Sequence, residues 1–150
     1  MIDARAADLI GRQIVRDGRS LLHYIDEAFP YTPAQAEHRR ARIHELAQGE
    51  QEAVGRLIRF LHRQHVTPPF LSAFPSNFTT SNFVSLDHVL PALNREQERG
   101  IAQLERDVAA LPDGEGRQVL LGYLEEKRRR LQELLCLGPA APAAAAEVHT

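Results

Sequence analysis

Four stretches of this 150-residue chain repeat their apolar residues every three, four or seven positions, and each stripe is interrupted midway by a polar run. Arg16 to Ser20 break the first, Gln48 to Glu52 the second, Asn94 to Gly100 the third and Glu125 to Arg130 the fourth. Apolar residues at that spacing share one face of an α-helix. Four such faces leave water by packing on one another, so the chain is expected to be all-α, an antiparallel four-helix bundle. The polar runs fall at about the same height in the four helices, which puts a polar belt across the core. A belt of this kind holds either a metal or a network of ion pairs.

The first helix is expected over about Ala4 to Phe29, through Ile10, Ile14, Leu21, Ile25 and Phe29. Gly18 weakens its middle by about 1 kcal/mol relative to alanine, and Pro30 ends it. Thr32, Pro33 and Gln35 signal the second helix as cap, first-turn proline and capping-box amide. Its stripe is Ile43, Leu46, Val54, Leu57 and Leu61, and it stops near His65, ahead of Pro68 and Pro69. The third begins near Ser85 or Leu86, with Asp87 at the positive end of the helix dipole. Pro91 either kinks it or marks its start, and Leu90, Leu93, Ile101, Leu104, Val108 and Leu111 form its stripe. Pro112-Asp113-Gly114 turns the chain. The fourth runs from about Glu115 to Leu137 through Leu120, Leu124, Leu131 and Leu135, until Gly138 and Pro139 stop it. Residues 1–137 thus make the bundle domain, and the Ala/Pro-rich residues 138–150 are expected to be a disordered tail.

The connections read short, long, short. Short links make antiparallel hairpins of helices one and two and of helices three and four. The long link, Val66 to Val84, either folds back locally or crosses the bundle so that helix three runs parallel to helix two. A helix of about 26 residues is about 39 Å long, and a link of about 18 residues extends to about 60 Å, so the crossover is within reach and is the expected route. This arrangement of helix lengths and loops, over residues 4 to 137, resembles the ferritin-like superfamily, which includes the rubrerythrins. The resemblance implies a mid-bundle site in which two helices each supply a glutamate and the other two each supply a Glu-x-x-His pair.

The belt departs from that pattern. Glu50 is the inward position between Leu46 and Val54, but Ala53 stands where histidine would follow. Glu125 and Glu126 lie at a suitable level, followed three residues on by Arg128 and Arg129. The inward set read from the stripes is Asp17 or Gly18, Glu50, Gln97, and Lys127 or Arg128, in which a base opposes metal binding and opposite charges balance. The belt is therefore read as a core polar network of Asp17, Glu50, Gln97, Lys127 and Arg128, with Lys127 or Arg128 as the partner of Glu50. The alternative is a carboxylate-bridged iron or manganese site made by Asp17, Glu50, Glu96 and Glu126. A third reading turns these residues to solvent.

Other features point less far. A net charge of −2 offers no global attraction for nucleic acid or an anionic membrane. The start, MIDARAADLIGRQ, lacks the apolar core of a signal peptide, no apolar run is long enough to span a bilayer, and the single cysteine, Cys136, suits a reducing cytoplasm. His62, His65, Asp87 and His88 converge only if the long link folds back locally; otherwise they are surface residues. His23 and Glu27 share a face without further ligands. The Lys127–Arg130 and Arg39–Arg42 clusters have acids three or four residues away and read as intrahelical pairs. Cys136, among Leu134, Leu135 and Leu137, is expected to be packed. The link holds Phe70, Phe74, Phe78 and Phe83, four of the six phenylalanines. They either cap the core or form an interaction surface for a second copy or another protein. No phosphate loop, nucleophile elbow or zinc-ribbon spacing is present. The sequence thus points to a non-catalytic bundle without a cofactor, in a structural or protein-interaction role that a homodimer would suit.

Overall fold

The computed structural model describes residues 2–28, 37–81 and 85–137. Their regular structure is helical: α1 (Ala4–Gly18), α2 (Leu21–Ala28), α3 (Glu37–Arg63), a 3-10 turn at Ser76–Ser81, α4 (Leu86–Ala109) and α5 (Glu115–Cys136). Several sequence expectations fall outside the described residues: the Phe29–Pro30 stop, the Thr32, Pro33 and Gln35 start signal, Phe83, and the tail 138–150.

The sequence predicts one first helix, and the structure has two. Helix α1 ends at Gly18, and Ser20 caps a new helix, its hydroxyl accepting from the His23 N–H at 3.1 Å and its carbonyl from the Tyr24 N–H at 3.0 Å. The long link crosses at this break. A Cβ on Gly18 would lie 2.8 Å from Leu71 Cδ2, so the glycine makes room for the leucine rather than merely softening a continuous helix.

The other termini follow local chemistry. Helix α1 starts at Asp3, whose carboxylate accepts from the Arg5 and Ala6 N–H groups. Helix α3 closes with His65 at φ 60°. The Val66 N–H then reaches the Leu61 carbonyl at 2.9 Å, and the His65 N–H reaches that of His62 at 3.0 Å. Helix α4 is capped by Ser85 and runs through Pro91, whose ring faces solvent near the start of the helix, where the loss of one backbone donor is tolerated.

Side-chain contacts fix which ends meet. Arg39, near the start of α3, pairs with Asp87 in the first turn of α4 at 2.7 Å and donates to the Leu137 carbonyl beyond α5 at 3.0 Å. At the opposite end, the Gln64 amide approaches Glu115 at 3.4 Å and Gly116 lies against Ala6. The link between α3 and α4 runs alongside α1 and α2: Pro69 beside Gly11, Leu71 at Gly18, Phe74 against His23 and Tyr24, and Phe78 against Tyr24.

The core divides in two. One apolar cluster joins Ile10 and Ile14 of α1 to Leu57 and Leu61 of α3, Leu104 and Val108 of α4, and Leu120 and Leu124 of α5. The second joins Leu22 and Ile25 of α2 to Ile43 and Leu46 of α3, Leu90 and Leu93 of α4, and Leu134 of α5. Leu134, not the expected Leu135, faces inward, and Cys136 is exposed rather than packed. No helix among the described residues is long and apolar enough to cross a membrane.

Candidate functional site: a polar belt between two apolar clusters

The level between the clusters is filled by Gln13, Asp17, Ser20, Glu50, Gln97, Lys127 and Arg130, all buried. Backbone periodicity puts them there. Helix α5 buries Leu120, Tyr123, Lys127, Arg130 and Leu134, and α3 buries Ile43, Leu46, Glu50, Ala53, Leu57 and Phe60. Alternating steps of three and four keep one face toward the neighbouring helices. The inward face is continuous; only its chemistry changes at the belt.

Asp17 is the centre of the belt. Its Oδ2 accepts from Gln13 Nε2 at 2.7 Å, Tyr123 Oη at 2.6 Å and Lys127 Nζ at 2.9 Å. Burial pushes the Asp17 carboxyl up, but the Lys127 charge and the hydrogen bonds from Tyr123, Lys127 and Gln13 outweigh it and hold the group below its ordinary value. Tyr123 moves the other way: burial, then the charges of Asp17 and Glu50, raise its phenol. Lys127, 1 % exposed, is thus an ammonium bound to an ionised carboxylate inside the bundle.

Glu50 is the second acid, with no solvent contact. The expected Glu50–Lys127 contact is replaced: Lys127 goes to Asp17, and Glu50 Oε1 accepts from the Ser20 hydroxyl at 2.5 Å. Ending α1 at Gly18 is what makes this possible, because it frees Ser20 to cap α2 and to bond Glu50 together. Burial, then the nearby Asp17 charge, push the Glu50 carboxyl up to about 7 against the opposing pull of Lys127, Ser20 and Arg130. Glu50 Oε2, Gln97 Oε1, and Nε and Nη2 of Arg130 have no partner among the described residues, although all four atoms are buried. Buried polar atoms of this kind call for water or a ligand.

The remaining predicted residues scatter. Arg128 is on the surface, paired with Glu105 at 2.6 Å and with Glu125 at 3.4 Å, because inward-facing Lys127 turns its neighbour outward. Arg130 takes the inward place instead, approaching Glu126 at 4.0 Å. Glu126 also pairs with Arg56 at 2.5 Å, on the rim of the belt. Glu96 accepts from the Leu21 N–H at 3.4 Å, and burial followed by the Asp17 charge raises its carboxyl. Among the described residues, no three His, Cys, Asp or Glu side chains come together as a metal-ligand group. His62 and His65 close α3 while Asp87 and His88 open α4 beside Arg39, so these two pairs sit at opposite ends. His23 Nε2 meets Glu27 at 2.8 Å, and its Nδ1 lies 3.1 Å from the Gly18 carbonyl.

No protein-family model, curated protein or solved structure matches the chain.

The phenylalanines of the link divide. Phe74 packs edge-on against His23 and Tyr24 with ring centroids 5.1 and 5.2 Å away, beneath the Arg19 guanidinium at 5.6 Å. Phe78 leans on Tyr24 at 5.7 Å. Phe70 is 90 % exposed. Sequence reasoning missed Gln13 and Tyr123 altogether, and left Ser20 and Arg130, both within the polar runs, out of the inward set. The signal for Tyr123 and Arg130 was the unbroken three–four step of α5, visible once polar residues are allowed into the stripe.

Proposed function

We propose that this protein is a non-catalytic helical bundle of ferritin-like shape, with a structural or protein-interaction role, in which an ion-pair belt stands where relatives of that shape would hold two metals. The observation that carries the reading is the crowding of Asp17 Oδ2: three protein donors converge on that oxygen, one of them a buried ammonium. A cation 2.9 Å from the carboxylate opposes a metal at the same oxygen. Glu126, engaged by Arg56, and Glu96, whose carboxyl burial biases toward the neutral form, add little to a ligand set. The crossover of the long link is supported by the adjoining starts of α3 and α4 at Arg39 and Asp87.

Metal analysis of protein purified without chelator tests the reading. The expected result is substoichiometric iron and manganese, unchanged in Glu50→Ala. Stoichiometric metal lost in Glu50→Ala overturns it in favour of the carboxylate-bridged alternative.

One observation favours a second reading, a module that binds a protein partner or a second copy through the long link: Phe70 projects into solvent on a segment otherwise packed down by Leu71 and Phe74. Sedimentation of the full chain and of Phe70→Ser tests self-association. A dimer that dissociates in the variant supports this reading, and identical sedimentation of both removes the self-association form of it.

A further inference from the structure

A cleft of about 500 Å³ opens beside the belt, walled by α1 and α4 and floored by Lys127 of α5. Its volume is within the range of small-molecule sites. The walls carry Arg16, Arg99 and Arg106, all exposed, while the floor is made by the buried Asp17, Gln97 and Lys127. With Glu96 as the one further acid, four cationic side chains face two carboxylates, and Lys127 already neutralises Asp17.

The way these arginines are held matters more than the count. The Arg16 guanidinium donates to Gln13 Oε1 at 3.2 Å, and that of Arg106 to Gln103 Oε1 at 2.7 Å. Both acceptors are neutral amides, so the side chains are oriented without their charge being cancelled. Among the described residues neither makes a carboxylate ion pair, and neither does Arg99, unlike Arg39, Arg42, Arg56, Arg117 and Arg128 elsewhere on the surface. A guanidinium fixed in place with its charge intact is suited to a planar or tetrahedral oxyanion.

The floor supplies an independent sign of a ligand. Gln97 is 2 % exposed, lines the cleft, and its Oε1 has no partner among the described residues. A buried amide oxygen left bare is costly unless something donates to it. Gly100 keeps the space above the floor open, since a Cβ there would stand 3.9 Å from both Nζ and Cε of Lys127.

We propose that this cleft binds a small organic anion, its carboxylate or phosphate held by Arg16, Arg99 and Arg106 and a hydroxyl or amino group of its body donating to Gln97 Oε1. The cleft shares Asp17 and Lys127 with the belt and rests on their pairing; anion titration reads the cleft and metal analysis reads the belt, so failure of one is distinguishable from failure of the other.

Calorimetric titration of the full chain with malate and with glycerol 3-phosphate tests it, against sodium chloride at matched ionic strength. Both probes combine an anionic head with a hydroxyl donor. Saturable binding is expected for at least one of them and none for chloride. Arg99→Gln and Arg106→Gln should each weaken that binding by about tenfold, the weight of one charge-assisted hydrogen bond. Gly100→Leu, which removes no charge and replaces glycine by a better helix former, should abolish it by filling the space over Lys127. Arg63→Gln, at the far end of α3, should leave it unchanged. Absence of saturable binding by both probes overturns the proposal, and so does binding that survives both arginine variants. If Gly100→Leu fails to fold, the two surface arginine variants still decide.

Discussion

The Lys127 ammonium lies 2.9 Å from Asp17 Oδ2, joining α5 to α1 through a pair almost without solvent contact. Two charges withdrawn from water each carry a desolvation penalty of several kcal/mol, and their attraction offsets it only when the remaining hydrogen-bonding capacity is met. Gln13 and Tyr123 meet that need on the Asp17 side. The pair therefore ties α1 to α5 at mid-bundle while adding little net stability of its own.

Breaking the pair from either side should be costly. Lys127→Met leaves Asp17 without its cation, Asp17→Asn leaves Lys127 without its anion, and each is expected to destabilise by about 3–5 kcal/mol. The double variant should lose much less than the sum, because no buried charge is stranded. Urea unfolding of the four proteins measures the coupling, and strict additivity would show that the two residues do not depend on each other.

Stability should fall as pH rises from about 4.5 to about 7. The Glu50 carboxyl titrates near 7 in the fold against 4.5 ordinarily, so over that window the native state holds a proton that the unfolded chain has released. The stabilisation is fully present below the lower value and lost as pH passes the upper one, each pH unit between them removing about 1.4 kcal/mol. Glu96, also raised, adds a slope of the same sign. Asp17, held low by Lys127, acts oppositely and only in stronger acid. Glu50→Gln should flatten most of the slope and be more stable than the parent at pH 8. Equal slopes in chemical denaturation from pH 4.5 to 8 would place Glu50 in water.

Helices α1 and α5 approach too closely at Gly116 for any side chain. A Cβ there would lie 2.7 Å from Ala6 Cβ, an atom fixed to its own backbone, so the helices would have to separate. Gly116→Ala should destabilise by about 1–3 kcal/mol despite alanine's better helix propensity. Adding Ala6→Gly should restore part of the loss. A thermal melt in which Gly116→Ala is the more stable protein would contradict this packing.

Phe74 and Phe70, four residues apart, should behave differently. Phe74 is half-buried among His23, Tyr24 and Phe78, and Phe74→Ser is expected to cost about 1–3 kcal/mol, less than a fully buried phenylalanine. Phe70→Ser removes a ring in solvent and should change stability by less than about 0.5 kcal/mol. Comparable losses in guanidinium melts would mean that the link packs differently.

The helical stretches, the Ser85 cap and the height of the belt were legible in the sequence because each is set within a few turns of chain. The stripes leave one inward position at that level for Glu50 and Gln97, and two for the other helices, Asp17 or Gly18 and Lys127 or Arg128, of which the structure buries Asp17, Gly18 and Lys127. Arg128 was misplaced because position 127 takes the inward site and the next residue is turned about 100° away. The break at Gly18 was not legible, since it depends on Leu71 arriving from a segment more than fifty residues later.

Periodicity alone determined that this chain buries four helical stripes and that their middle is charged, because the 3.6-residue repeat assigns faces locally. Only the tertiary structure decided which charge meets which. Lys127 was equally placed in sequence to reach Glu50 or Asp17, and the choice came from the end of α1 at Gly18, which gave Glu50 to Ser20 and left Asp17 to the lysine. Pairing across helices depends on the relative rotation and height of separate elements, quantities set by the packing of both apolar clusters together.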